Sequence, residues 1–118
     1  MASARQNITA LIYDRKGRLL SMGKNSYIKT HPLQAKLAAQ AGLNDKIYLH
    51  AEIDALIRCK NWAKAHKIVI TRIGKNGQPA LAKPCPVCEL ALKNAGIQEV
   101  VHTRFRLTEN TQFAIIWL

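Results

Sequence analysis

Acidic residues are scarce. The 118 residues include seven Asp and Glu against 18 Lys and Arg, which leaves a formal net charge of +11. An imbalance of that size excludes a neutral surface and fits equally a solvated basic surface or a phosphate-bearing partner, either a nucleotide or a nucleic acid. The basic residues run from Arg5 to Arg106 instead of forming one tail. Aromatic residues are also few: two Trp, three Tyr and two Phe, so no long base-stacking platform is evident. No apolar run approaches the ~20 residues of a membrane-spanning helix. The segment Met1 to Asn7 lacks the apolar core of a signal peptide. Cysteine occurs three times. An odd count with two members in C-x-x-C argues against a disulfide framework and for a reducing, cytoplasmic compartment. The length suits a single domain, residues 1–118, with one core.

What is present is a pattern of metal-binding residue types. His50-Ala51-Glu52 places an imidazole and a carboxylate two positions apart at the expected start of a helix. Pro84-Cys85-Pro86-Val87-Cys88 supplies two sulfurs at the start of another. His50, Cys85 and Cys88 make three zinc ligands, and a catalytic zinc leaves its fourth position to water. The ion lowers the pKa of that water, and helix N-termini favour the thiolates. Glu52 is not needed as a ligand. It is placed to move protons between the water and a base. At a spacing of two, His50 and Glu52 point to different sides of a helix, so both can reach one point only beyond its end. The bland alternative is a structural zinc site closed by His31, His66, His102 or Cys59, which leaves Glu52 without a role.

Hydrophobic periodicity places the remaining elements. Asn7–Tyr13 reads as a central strand, Asp14–Gly17 as a turn, and Arg18–Asn25 as a returning strand. Pro32–Ala41 reads as a helix stopped by Gly42. The zinc helix is expected over His50–Ala63, with Cys59 as buried filler in its middle. Lys67–Ile73 reads as a strand, Cys85–Asn94 as a helix, and Ile97–Thr103 as a strand. Arg104 to Gln112 reads as a polar link, in which Arg104-Phe105-Arg106 is the best local candidate for gripping a phosphate. The final strand begins at Phe113. With β-branched Thr108 and Thr111 arguing against a crossover helix, the last pair is expected to be antiparallel. The order β-β-α-α-β-α-β-β predicts an α/β fold of three layers, α/β/α, around a mixed five-stranded sheet. Trp62 and Trp117 are expected in the core, and His66 and His102 at the surface or at strand ends.

The paired motifs H-A-E and P-C-x-x-C resemble those of the cytidine deaminase superfamily, the zinc-dependent nucleobase deaminases. The resemblance extends from the first hairpin to the last strand, and the 33 positions from Glu52 to Cys85 are ordinary for that family. It implies Zn2+ on His50, Cys85 and Cys88, and Glu52 as proton shuttle. Asn25 resembles the asparagine that contacts the sugar, Ala51 the small residue whose backbone faces the base, and Pro84 the proline before the first cysteine. His31, in the loop after Asn25, either lines the substrate pocket or caps the next helix. The histidine-type motif is like that of deoxycytidylate, tRNA adenosine and polynucleotide cytosine deaminases. The antiparallel ending is similar to free-nucleoside deaminases and some bacterial toxin deaminases, and a small phage or viral member is one candidate type. The implied activity is hydrolysis of a cytosine nucleoside or nucleotide to the uracil form. The alternative is action on cytosine or adenine in single-stranded DNA or RNA. A homo-oligomer is expected, no membrane partner, and a cytoplasmic location, that of the host if the source is viral.

Overall fold

The computed structural model describes residues 7–26, 30–42, 49–73, 80–103 and 113–118. The expected turn Gly74-Lys75-Asn76-Gly77, the polar break Asn44-Asp45-Lys46 and the link 104–112, with its Arg104-Phe105-Arg106 cluster, lie outside those residues. Strands β1 (Asn7–Tyr13) and β2 (Leu19–Lys24) form the first hairpin, followed by helices α1 (Pro32–Gln40) and α2 (Ala51–Arg58). Strand β3 (Lys67–Ile73), helix α3 (Pro86–Asn94) and strands β4 (Glu99–Thr103) and β5 (Phe113–Trp117) complete the order. The strands lie as β2-β1-β3-β4-β5, with β3 and β4 parallel and every other neighbour pair antiparallel. The α/β class, the five-stranded mixed sheet and the antiparallel last pair are as expected.

The hairpin turn is closed by one carboxylate. Asp14 Oδ1 accepts from Lys16 N and Arg18 N, each at 2.9 Å, and its Oδ2 accepts from Arg18 Nε at 2.9 Å. Gly17 takes φ +80° there, a conformation glycine adopts without steric cost. These bonds to Arg18, its backbone N–H first, hold the Asp14 carboxyl below the usual carboxylate range.

One face of the sheet carries Ala10, Ile12, Ile68, Ile70 and Val100, all fully buried. Helix α2 packs there, against β1 and β2, with α3 against α2 and α1 against α3. Residues 51–56 of α2 are all buried, which agrees with its apolar character on two sides. The opposite face carries no described helix. Of the expected three layers, the described residues form two. No described helix is long and apolar enough to cross a membrane.

Helix α2 ends sooner than its sequence pattern suggests. It stops at Arg58, and Cys59 takes extended angles at the C-cap, still buried but not mid-helix. Trp62 turns back so that its indole Nε1 donates to Leu56 O at 2.8 Å, capping the carbonyl end. Asn61 Oδ1 accepts from Ala63 N at 3.0 Å and starts a separate 3-10 turn, Trp62–Lys64. Trp62 therefore sits partly exposed on a polar errand instead of in the core, and Trp117 is 69% exposed on the edge strand. His102 departs from expectation in the other direction: it is buried on β4, its Nδ1 2.9 Å from Thr103 O.

The approach of α2 to β2 is too close for a side chain at Gly23. A Cβ there would collide with Ala55 N and Ala51 O. Both obstacles are backbone, so the helix itself would have to move. Gly23→Ala is expected to cost about 2–3 kcal/mol, the upper range for overpacking a core, read from urea unfolding midpoints. An unchanged midpoint would show that α2 is not fixed at this distance.

Candidate metal centre

Both halves of the candidate site start at helix N-termini. His50 is the N-cap of α2, and its side chain makes no capping bond. Cys85 is the N-cap of α3, with Pro86 at the first helical position and Cys88 in the first turn. The His50 ring is turned instead toward the sulfurs. Its Nδ1 lies 3.2 Å from Cys88 Sγ and 3.5 Å from Cys85 Sγ. The three donor atoms all fall within 4.8 Å of one another. Ideal tetrahedral zinc, with bonds of ~2.0 Å to nitrogen and ~2.3 Å to sulfur, places nitrogen and sulfur about 3.5 Å apart. The residues therefore fit a divalent ion of zinc's size and softness.

A fourth soft ligand is not at hand. Every histidine and cysteine of the chain lies among the described residues, and only these three converge. His31 is the N-cap of α1, its Nδ1 accepting from Leu33 N at 3.0 Å. Cys59 Sγ is directed to Asn61 O at 3.7 Å. His102 faces Thr103 O. The closed structural site weighed from the sequence has none of its candidate fourth ligands in place.

Hydrogen bonds from three other elements hold this end of α2. Gln34 on α1 is fully buried and its Oε1 accepts from His50 N at 3.2 Å. Ser21 Oγ donates to Ala55 O at 2.8 Å, and Asp54 Oδ2 accepts from Lys24 N at 3.0 Å. Ser26 N donates to Leu49 O at 2.9 Å. The approach to Cys85 is held from the other side. Thr103 Oγ1 donates to Ala80 O at 2.7 Å, Ala82 N donates to Thr103 O at 2.8 Å, and Arg72 Nη1 donates to Leu81 O at 3.2 Å. Sequence reasoning did not single out Gln34, Arg72 or Thr103. A glutamine on the buried side of α1 was the one visible signal.

The electrostatics follow from burial and from thiols in contact. A hydrogen bond from Cys88 lowers the Cys85 thiol to about 4 against an opposing desolvation, and His50 adds to the lowering. Cys88, which shares that bond and is buried, is pushed well above its ordinary value. Glu52 is buried, and desolvation raises its carboxyl; the Glu52 backbone N–H and the nearby His50 oppose this, and the carboxyl lies within hydrogen-bonding reach of Cys88. Glu52 stands at the second position of α2, less than one turn from the N-cap, and it and His50 line the same cavity.

That cavity has a volume of about 280 Å³. Asn25, Ser26, His50, Ala51, Glu52 and Cys85 line it, and Arg72 and Lys83 are also on its wall. Asn25 Oδ1 accepts from Ile8 N at 3.0 Å, which ties the end of β2 to β1 beside the cavity. Pro84 is buried and is not among the described lining residues. His31 lines a second, adjoining cavity of about 660 Å³ together with Lys24, Thr30, Asp54 and Arg58. Asn25, Ser26 and Leu49 border both.

Purified chain is expected to bind one zinc ion. Cys88→Ala should lower zinc affinity by at least about tenfold, the lower range for losing a group that holds a metal, as read by chelator competition. Cys59→Ala should leave affinity unchanged. Equal losses in both variants would mean that the ion sits elsewhere. Compared with known proteins, the chain matches no family model and no curated sequence.

Proposed function

We propose that the chain is a zinc-dependent hydrolase that deaminates the cytosine of a nucleoside or nucleotide, giving the uracil form and ammonia. The observation that carries the reading is the buried carboxyl of Glu52 beside three converging donors, His50, Cys85 and Cys88, with Glu52, His50 and Cys85 lining one cavity. Structural zinc sites have no need of a buried acid. A proton-transfer site does.

Zinc held by His50, Cys85 and Cys88 would supply the Lewis acidity that lowers the pKa of a water molecule. The chain's own residues do the rest. Glu52 removes a proton from the water, whose oxygen adds to C4 of cytosine, and delivers that proton to the ring nitrogen; it then carries the proton of the new C4 hydroxyl to the amino group as the C4–N bond breaks and ammonia leaves. Water and cytosine are consumed, and uracil and ammonia are formed. Burial raises the Glu52 pKa, and a carboxyl poised nearer neutrality both accepts and returns protons more readily. Ala51, fully buried at the cavity wall, leaves room for a flat ring against the helix start. Asn25 borders both cavities and is placed for a sugar that spans them.

A second reading, deamination within single-stranded DNA or RNA, is favoured by the adjoining cavity. Lys24, His31 and Arg58 line it, while Asp54, its acid, is engaged by Arg58 Nε at 3.1 Å and by Lys24 N. Such a groove suits the phosphates of a strand.

Ammonia release should be assayed with cytidine, deoxycytidine, deoxycytidylate and single-stranded oligonucleotides. Glu52→Gln should keep its zinc and lose turnover by about 10²-fold or more, the scale of general acid–base catalysis. No ammonia from any substrate by the zinc-loaded wild type would sink both readings. Salt separates them: each strand phosphate engaged adds ~0.7 to the log–log slope of affinity against salt, so a polynucleotide enzyme shows a steep slope and a nucleotide enzyme a shallow one.

A further inference from the structure

The sheet face away from the helices is apolar in a chain otherwise crowded with cations. Six of the nine large hydrophobic residues that stand exposed among the described residues lie on it: Leu19, Met22, Ile73, Phe113, Ile115 and Trp117. The strand register fixes how they are arranged. One row across the sheet reads Leu11, Val69, Val101, Ile115, and the next reads Tyr13, Lys67, Glu99, Trp117. Lys67 and Glu99 are direct neighbours on the parallel pair β3 and β4, and the Lys67 ammonium sits 5.5 Å from the Tyr13 ring centroid. Lys24 on β2 is the other charged residue at a described outward position. Two lysines and one glutamate on this face contrast with a net +11 for the chain. That poverty of positive charge disfavours a polyanion here, and the width of the apolar face favours a packed partner.

We propose that a second copy of this chain packs on this face, about a two-fold axis that runs along the strands between β3 and β4. Rotation about that axis sets β3 of one copy over β4 of the other, and β1 over β5. Lys67 then meets the second copy's Glu99, and the exchange happens twice by symmetry. Val69 meets Val101, Leu11 meets Ile115, and Tyr13 meets Trp117. An isologous interface must be complementary to itself, and this axis pairs opposite charges, aliphatic side chains and aromatic rings at once. An axis along β3 would instead bring Lys67 onto Lys67. Two sheets packed face to face keep their strands within about 30° of alignment, so the pairings nearest the axis are the firmest. Strand β2 falls outside the overlap, which leaves Lys24 in solvent. The inference needs neither the metal site nor the proposed reaction: His50, Cys85 and Cys88 belong to the helix starts on the other face, and the outward residues that border the adjoining cavity, Met22 and Lys24, are on β2, outside the overlap.

The test is sedimentation equilibrium of the full chain at about 0.15 M salt, where screening over ~8 Å mutes the repulsion between two strongly basic copies. A dimer is expected. Glu99→Lys should raise its dissociation constant by at least about tenfold, because like charges meeting across an interface are strongly disfavoured. The exchange Lys67→Glu with Glu99→Lys should restore it. Ile115→Lys should also weaken the dimer while leaving the circular dichroism spectrum and zinc content unchanged. A monomer at every concentration up to roughly 100 μM, beyond the reach of small transient interfaces, would overturn the proposal. So would assembly beyond a dimer, a dimer indifferent to Ile115→Lys, or a charge exchange that fails to restore association.

Discussion

A ring nitrogen lies between two sulfurs that come from 35 and 38 residues further along the chain, and the rest of the structure holds it there. Neither half of that meeting is stable alone. Bringing two thiols and an imidazole together under partial burial costs desolvation, and the thiols answer by sharing a proton: Cys85 is held low while Cys88 is pushed up. A divalent cation is the natural partner of such a cluster, since it replaces the shared proton and binds all three donors. The fold's contribution is to present the cluster at two helix starts, where unsatisfied N–H groups and the helix dipole favour negative charge.

Placement of α2 is the mechanical requirement behind this. Gly23 lets the helix backbone rest directly on β2, Ser21 and Asp54 pin it by hydrogen bonds, and Gln34 holds the backbone of His50. The same placement buries Glu52 beside the thiols, so metal ligand and acid are set by one packing contact. On the other side, Thr103 and Arg72 hold the segment that leads into Cys85. The cavity between these two supports is thus bordered on both sides by hydrogen-bonded segments.

Much of this was legible in the sequence, for identifiable reasons. Hydrophobic patterning found the five strands and three α-helices of the described residues, most of which have one buried side whose residues recur at the right interval. The antiparallel last pair followed from the short, β-branched link that precedes it. The three candidate donors were picked out because H-A-E and P-C-x-x-C together resemble a known signature, and they lie close enough in space to hold a metal ion. What escaped depends on partners far along the chain. Nothing local shows that Trp62 turns its indole onto Leu56 O and ends α2 four residues ahead of it, or that His102 falls on the covered side of β4. Trp117 is exposed because its strand has alternating sides and the outward one is open. The place of Gln34, beneath His50, is a tertiary fact that periodicity on α1 could only hint at.

Glu52 separates a working centre from a staple, and the state of the fourth position decides between them. X-ray absorption at the zinc edge of the loaded, substrate-free protein reads that position directly. The account predicts two sulfurs at about 2.3 Å and two lighter donors at about 2.0 Å, of which only one shows the outer-shell scattering of an imidazole. Two imidazoles, or a third sulfur, would mean a closed site and would contradict it.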